Sequence, residues 1–274
     1  MKEERITKKL YGELVLKEWK RLQENSYFRL EYDTTIVFLK KYLPKKGLIL
    51  DAGGGPGRYT IELAKKGYDV ILLDITPENL EFAKKKIKQE KLQNKVKDIL
   101  EGSITKLPFK DNIFDAVICL GGPLSHVHPE KNRKKAVSEL TRVAKKVAPI
   151  FISVMGKFGV LLQALMKWPN EIKMTKHFER FSGLGDDYLW HGGKGYCHFF
   201  ELKEFERLFN PRSIKTIEEV GLEGLATASR DITKKLFKKE PVITKNWMKM
   251  HFRTCTNPTV VDLSAHMLII GRKK

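Results

Sequence analysis

Asp51, Gly53, Gly55 and Gly57 alternate along Leu48-Ile49-Leu50-Asp51-Ala52-Gly53-Gly54-Gly55-Pro56-Gly57-Arg58. Glycines at this spacing let a backbone turn tightly and approach a ligand where any Cβ would collide. A helix opening at Arg58 would present unpaired N–H groups at its start. The chemistry such a loop can do is to hold a nucleotide-like ligand. It is not the dinucleotide fingerprint, which needs a third glycine where this chain has Arg58. A second apolar run, 69–75, ends in Asp74, roughly twenty residues after the loop, the spacing at which a carboxylate meets ribose hydroxyls.

These groups need a scaffold. From Gly47 to Gly156 apolar runs alternate with helical patterns, which argues a parallel sheet with helices on its faces. Strands are expected at 48–52, 70–75, 95–100, 114–120 and 149–154. Helices are expected from 58, from 77 with Thr76 as N-cap and Pro77 in the first turn, and over 129–146. Residues 6–43 show helical periodicity through Leu10, Leu14, Trp19, Leu22, Ile36, Leu39 and Leu43. After Gly156 the alternation breaks into an apolar helix and a glycine- and aromatic-rich stretch up to residue 197. Connections of that length are often functional lids, and the aromatic content argues against disorder. A helix at 201–209, a strand at 213–220, helical residues 225–255 and a strand at 266–271 complete the reading.

With loop, second strand and acid in order, the chain resembles the class I S-adenosylmethionine-dependent methyltransferases. The resemblance implies a doubly wound α/β fold: a mostly parallel seven-stranded sheet with an antiparallel last strand. It divides the chain into an N-terminal helical cap (1–44), a cofactor-binding core (45–156), a lid insertion (157–197) and a C-terminal part of the core (198–274) with helical residues at about 225–255. The N-terminal helices then either roof the substrate pocket or only cover the sheet. S-adenosylmethionine is the implied cofactor. Asp51, Gly53, Gly55 and Gly57 would cradle it, and Asp74 and Ile75 would take its ribose and adenine. Gly102, Ser103 and Ile104 match the family's adenine turn, with Ser103 where an Asp is common. Leu120 and Gly121 would pass near the methionine moiety.

A methyl sulfonium is already activated, so positioning supplies much of the acceleration and no single catalytic group is indispensable. His126, in the loop Gly121-Gly122-Pro123-Leu124-Ser125-His126, is either a general base or a loop histidine bound to backbone. His198, in Cys197-His198-Phe199-Phe200-Glu201, resembles a family segment in which the histidine either borders the site or is structural. The loop after strand four lacks Asn/Asp-Pro-Pro-Tyr, which counts against methylation of base amino groups. No cysteine sits where a 5-methylcytosine mechanism needs one. His126, His177 and His191 lack helical pairing, so no metal is expected, and the dispersed Cys119, Cys197 and Cys255 indicate neither zinc nor disulfides.

The 274 residues carry 52 Lys+Arg against 33 Asp+Glu, a net charge of +19. A nucleic-acid footprint is one reading. A lysine-rich thermophile surface is the favoured one, because the lysines are spread along the whole chain. The charged opening Met1-Lys2-Glu3-Glu4-Arg5 does not read as a secretory signal, and no apolar run approaches bilayer length. The expectation is a cytoplasmic enzyme methylating the oxygen or nitrogen of a small molecule, with no membrane partner; the alternatives are a tRNA or rRNA methyltransferase and a non-catalytic protein that only binds the cofactor.

Overall fold

The computed structural model describes residues 2–210 and 212–274. Two helices, α1 (Lys2–Glu24) and α2 (Ser26–Tyr42), precede the first strand. Between them Asn25 caps α2, its side chain accepting from the N–H groups of Tyr27 and Phe28. The core follows as β1 (Leu48–Ala52), α3 (Arg58–Lys65), β2 (Asp69–Asp74), α4 (Pro77–Gln89), β3 (Val96–Glu101), β4 (Ala116–Cys119), α5 (Glu130–Val143) and β5 (Pro149–Met155). Pro77 occupies the first turn of α4 as expected, but the Thr76 side chain makes no capping bond.

Residues 157–197 form more structure than a loop reading implies. They contain α6 (Lys157–Lys167), a helix Thr175–Leu184 and a hairpin of β6 (Asp186–Leu189) and β7 (Gly195–His198). Period-2 alternation is invisible over four-residue strands, which is why the hairpin escaped the sequence reading. Gly185 and Gly195 are packing positions: a Cβ would lie 2.2 Å from the Phe199 carbonyl oxygen and 2.7 Å from Leu10, respectively. The strand β8 (Ile214–Gly221), helices Arg230–Lys239, Pro241–Thr254 and Pro258–Asp262, and β9 (His266–Lys273) follow.

The main sheet has the order β3-β2-β1-β4-β5-β9-β8. Strands β1 to β5 pair in parallel, while β9 runs antiparallel to both β5 and β8. Among the parallel strands β1, β2, β4 and β5 have no exposed position, while the edge strand β3 exposes Lys97, Asp98 and Glu101. Two apolar layers flank the sheet, one around Phe114, Leu140 and Phe205, the other around Ile49, Leu72 and Phe151. Strand order reverses at β1, between β2 and β4. Ligands of such sheets bind outside the carboxyl ends at that reversal. Among the described residues no helix is long and apolar enough to cross a membrane.

Candidate active site

A cavity lies at that position. Its floor is made by Gly53, Gly54, Gly55 and Pro56 after β1, by Asp74, Ile75 and Thr76 after β2, by Gly102, Ser103, Ile104 and Thr105 after β3, and by Leu120, Gly121, Pro123 and His126 after β4. Each group comes from the end of a parallel strand, so the sheet register sets their spacing. The chain holds the loop closed with its own backbone: Gly53 and Gly54 N–H groups donate to the Leu73 carbonyl at 2.6 and 3.2 Å. Gly53 has φ +74°, and a Cβ there would meet the Pro123 ring at 2.7 Å, so glycine is required. At Gly55, with φ +55°, a Cβ would instead point into open space, the nearest atom being Asn79 Nδ2 at 3.8 Å. That opening is a cradle for a ligand.

Asp74 is fixed before any ligand arrives. Its Oδ2 accepts the Gly55 N–H and its Oδ1 the Thr76 N–H, both at 2.8 Å. Burial raises its pKa, and these N–H donors offset part of that rise. Asp51 is buried beneath the loop, where Thr60 Oγ1 donates to its Oδ2 at 2.6 Å. Burial pushes its pKa up to about 7, against the Thr60 hydrogen bond, with the nearby Asp74 charge adding to the rise. Asp51 Oδ1 and Asn79 Oδ1 are buried acceptors without a protein donor. Such acceptors are costly unless a ligand or water supplies the hydrogen. A cradle carrying carboxylates and unfilled acceptors fits a cofactor that presents ribose hydroxyls, amino groups and a positive charge, as S-adenosylmethionine does.

Of the sequence-derived candidates, Gly53, Gly55, Asp74, Ile75, Gly102, Ser103, Ile104, Leu120, Gly121 and His126 line this one cavity. Asp51 lies below it. Gly57 faces α4, where a Cβ would meet Ala83 at 3.1 Å, so it permits close helix packing. The Ser103 hydroxyl lies 2.9 Å from Thr105 Oγ1, which turns it along the loop. His198 is outside the lining. It is buried between Asp186 Oδ1 at 2.8 Å and Glu204 Oε1 at 2.7 Å. Burial alone would lower its pKa, but the two carboxylates raise it, and His198 links β6, β7 and the helix Leu202–Arg207 through these hydrogen bonds.

Of the two expectations for the N-terminal helices, the lining agrees with a roof over the pocket, but the residues that make it were not read from the sequence. Glu4, Thr7, Tyr11, Glu18 and Arg21 of α1 line the cavity from above. Spacings of three, four, seven and three put them on one helix face. The signal was present, but as a polar stripe, and apolar periodicity does not find one. No residue of 157–197 is in the lining; the hairpin stands behind it, with Trp190 6.2 Å from the His126 ring. Arg21 is held by Glu31, its Nη1 2.5 Å from Oε2 and its Nη2 3.1 Å from Oε1. Glu31, Glu223 and His266 have ligand atoms within 4.8 Å of one another. With Arg21 they form a network of two carboxylates facing a guanidinium and an imidazole.

A family model described as a methyltransferase domain matches residues 49–147. The chain is 33% identical over 130 residues to a ubiquinone/menaquinone biosynthesis C-methyltransferase of Zymomonas mobilis, covering 47% of this chain and 48% of that one. It is 30% identical over 143 residues to a tRNA (carboxymethyluridine(34)-5-O)-methyltransferase of Arabidopsis thaliana, covering 52% and 32%. The chain spans about half the length of the first curated relatives it matches. A solved structure from Pyrococcus horikoshii superimposes with TM-score 0.59 at 17% identity, over 94% of this chain and 99% of that one. Residues 49–147 therefore match a methyltransferase domain, and the chain shares its fold with solved S-adenosylmethionine-dependent methyltransferases.

Proposed function

We propose that this protein transfers the methyl group of S-adenosylmethionine to the oxygen or nitrogen of a small molecule. When bound, the cofactor supplies a methyl group on a sulfonium. The chain's own contribution is placement. Asp74, Gly55 and Gly121 hold the cofactor, Ile75 and Ile104 border its base, and α1 closes the acceptor side against water.

One observation carries the small-molecule reading. The chain has 52 lysines and arginines, yet no lysine lines the cavity among the described residues. Its cationic lining is Arg21 and Arg58; Glu31 already neutralises Arg21. Glu4 and Glu18 face the same space. A roofed, lysine-free cavity with carboxylates at its mouth suits a neutral or cationic small molecule better than a polyanion. RNA is the second reading, favoured by the +19 charge and by the name of the tRNA-modifying relative.

Calorimetry with S-adenosylmethionine and with NAD tests the cofactor. Asp74→Asn should weaken S-adenosylmethionine at least about tenfold, since a hydrogen bond to a charged group is worth about 1.5–3 kcal/mol. Asn is the better probe because Ala would release both the Gly55 and the Thr76 N–H groups, whereas the Asn carbonyl oxygen still accepts one. Binding of NAD with no response to S-adenosylmethionine would refute the reading. Labelled-methyl transfer to pooled metabolites, compared with transfer to total RNA, identifies the acceptor class.

A further inference from the structure

Where the roof meets the floor, Tyr11 Oη of α1 lies 2.6 Å from His126 Nε2. Both residues line the cavity. The other imidazole nitrogen, Nδ1, is 2.8 Å from the Tyr196 carbonyl oxygen. A carbonyl only accepts, so Nδ1 carries the hydrogen and Nε2 presents a lone pair to the Tyr11 hydroxyl, which donates to it. The carbonyl is itself anchored, because the Tyr196 side chain donates to Asp186 at 2.6 Å and receives Arg133 Nη1 at 3.2 Å. The two rings meet edge to face at 5.1 Å. A buried histidine with a fixed tautomer, joined to a tyrosine that borders the ligand space, is a relay pointing at the cavity.

We propose that Tyr11 and His126 form a proton-accepting pair for the methyl acceptor, with Tyr11 touching the acceptor and His126 as the terminal base. This rests on the methyltransferase reading. The acceptor atom gains a bond to the methyl carbon as the carbon–sulfur bond breaks, and that electron pair stays on sulfur. The acceptor's proton passes to Tyr11 Oη, the Tyr11 proton passes to His126 Nε2, and the resulting imidazolium returns it to solvent. Burial lowers the His126 pKa to about 4, so the base is unprotonated throughout the neutral range. So weak a base suits a proton that turns acidic only as the methyl arrives, on a neutral amine or a phenol-like hydroxyl. The charged and titratable groups facing the pair are Glu18 and Arg21 on α1, with His191 and Cys197 on the hairpin.

The test begins with nitrogen-detected imidazole NMR of the ligand-free protein. His126 is expected neutral with hydrogen on Nδ1 at neutral pH, titrating near pH 4. Its Nε2 shift should move in Tyr11→Phe. Hydrogen on Nε2, or an imidazolium at neutral pH, would overturn the proposal. The second arm measures labelled-methyl transfer to catechol, tyramine and benzylamine. His126→Asn keeps a donor for the Tyr196 carbonyl but removes the base. It should retain S-adenosylmethionine affinity and melting temperature while kcat falls by about 100-fold or more at unchanged KM. Its rate should rise with pH where the wild-type profile is flat. A kcat near wild type in His126→Asn or in Tyr11→Phe would overturn the proposal. If no probe is methylated, the NMR result decides. Failure to bind S-adenosylmethionine would end the methyltransferase reading while leaving the tautomer result standing.

Discussion

Two carboxylates under one glycine loop do different work because their surroundings differ. Asp74 receives two backbone N–H groups and shapes the loop. Asp51 receives one hydroxyl, keeps one oxygen without a donor, and has its pKa near 7. A raised carboxyl pKa means that the protonated form is favoured on folding; this stability is present below about pH 4 and is lost as pH rises through about 7. A cationic ligand above Asp51 reverses the preference and drives its proton off. Binding of S-adenosylmethionine near pH 7 should therefore release protons, seen by calorimetry as a heat that depends on the ionisation enthalpy of the buffer. The demethylated product, lacking the sulfonium charge, should release fewer, and Asp51→Asn none. Identical heats in all buffers would mean that Asp51 is already ionised in the free protein. The alternating pattern from Asp51 to Gly57 was legible because backbone strain leaves few residue choices. What it could not distinguish is a glycine needed for a ligand, Gly55, from one needed for packing, Gly57. Both have positive φ, and only the neighbours separate them.

At the scale of elements, the parallel core was legible because strands buried on both faces read as unbroken apolar runs. Each expected strand lies within a residue or two of its position, with 114–120 shortening to Ala116–Cys119. The sequence offered two roles for the N-terminal helices and could not choose the roof over the sheet cover, because Glu4, Thr7, Tyr11, Glu18 and Arg21 look like an ordinary solvated face until the sheet ends are known to lie beneath them. A ligand that enters past this roof would have to lift α1. Trypsin should cut after the exposed Lys17 and Lys20 in the free protein, and S-adenosylmethionine should slow that cleavage. An unchanged cleavage rate, followed by mass spectrometry, would make α1 a fixed wall. The network that fixes α1 also has a pH dependence. Arg21 of α1 pairs with Glu31 of α2, and His266 of β9 lies 2.6 Å from Glu223 and 3.7 Å from Glu31. Burial alone would lower the His266 pKa, but these carboxylates raise it. A raised histidine pKa gives stability that is full below about pH 6.5 and is lost as pH climbs through the folded value. Urea unfolding of wild type against His266→Gln should show a gap on the order of 3–5 kcal/mol at low pH that narrows on the alkaline side. A gap independent of pH would show that His266 is uncharged in its pocket.

Over the whole molecule the question is what a charge of +19 is for. A nucleic-acid footprint must gather its cations where the substrate enters, because affinity comes from counterions released by contiguous phosphate contacts. Here the lysines are instead distributed over helix faces, and many are already paired: Lys65 with Glu90, Lys84 with Glu81, Lys134 with Glu130, Lys145 with Asp115 and Lys167 with Asp231. Each such exposed pair is worth at most about 1 kcal/mol. Their wide spacing disperses the positive field over the surface, as a solvated coat does. Around the roof the signs alternate, with Lys8 paired to Glu101 and Lys194 to Glu13, while Glu4 and Glu18 face the cavity. A phosphate chain entering this cavity would face those two carboxylates. Binding of total tRNA, measured by filter retention across a salt series, should therefore be weaker than about micromolar at physiological salt. It should also be indifferent to sequence, as nonspecific contacts are, where those affinities are roughly 10⁻⁴–10⁻⁶ M. Charge reversal of Lys8 or Lys17 beside the roof should change that binding no more than reversal of Lys134 on the remote α5. Submicromolar affinity that falls steeply with salt and is lost on reversing the roof lysines alone would place the footprint at the active-site mouth and make RNA the acceptor.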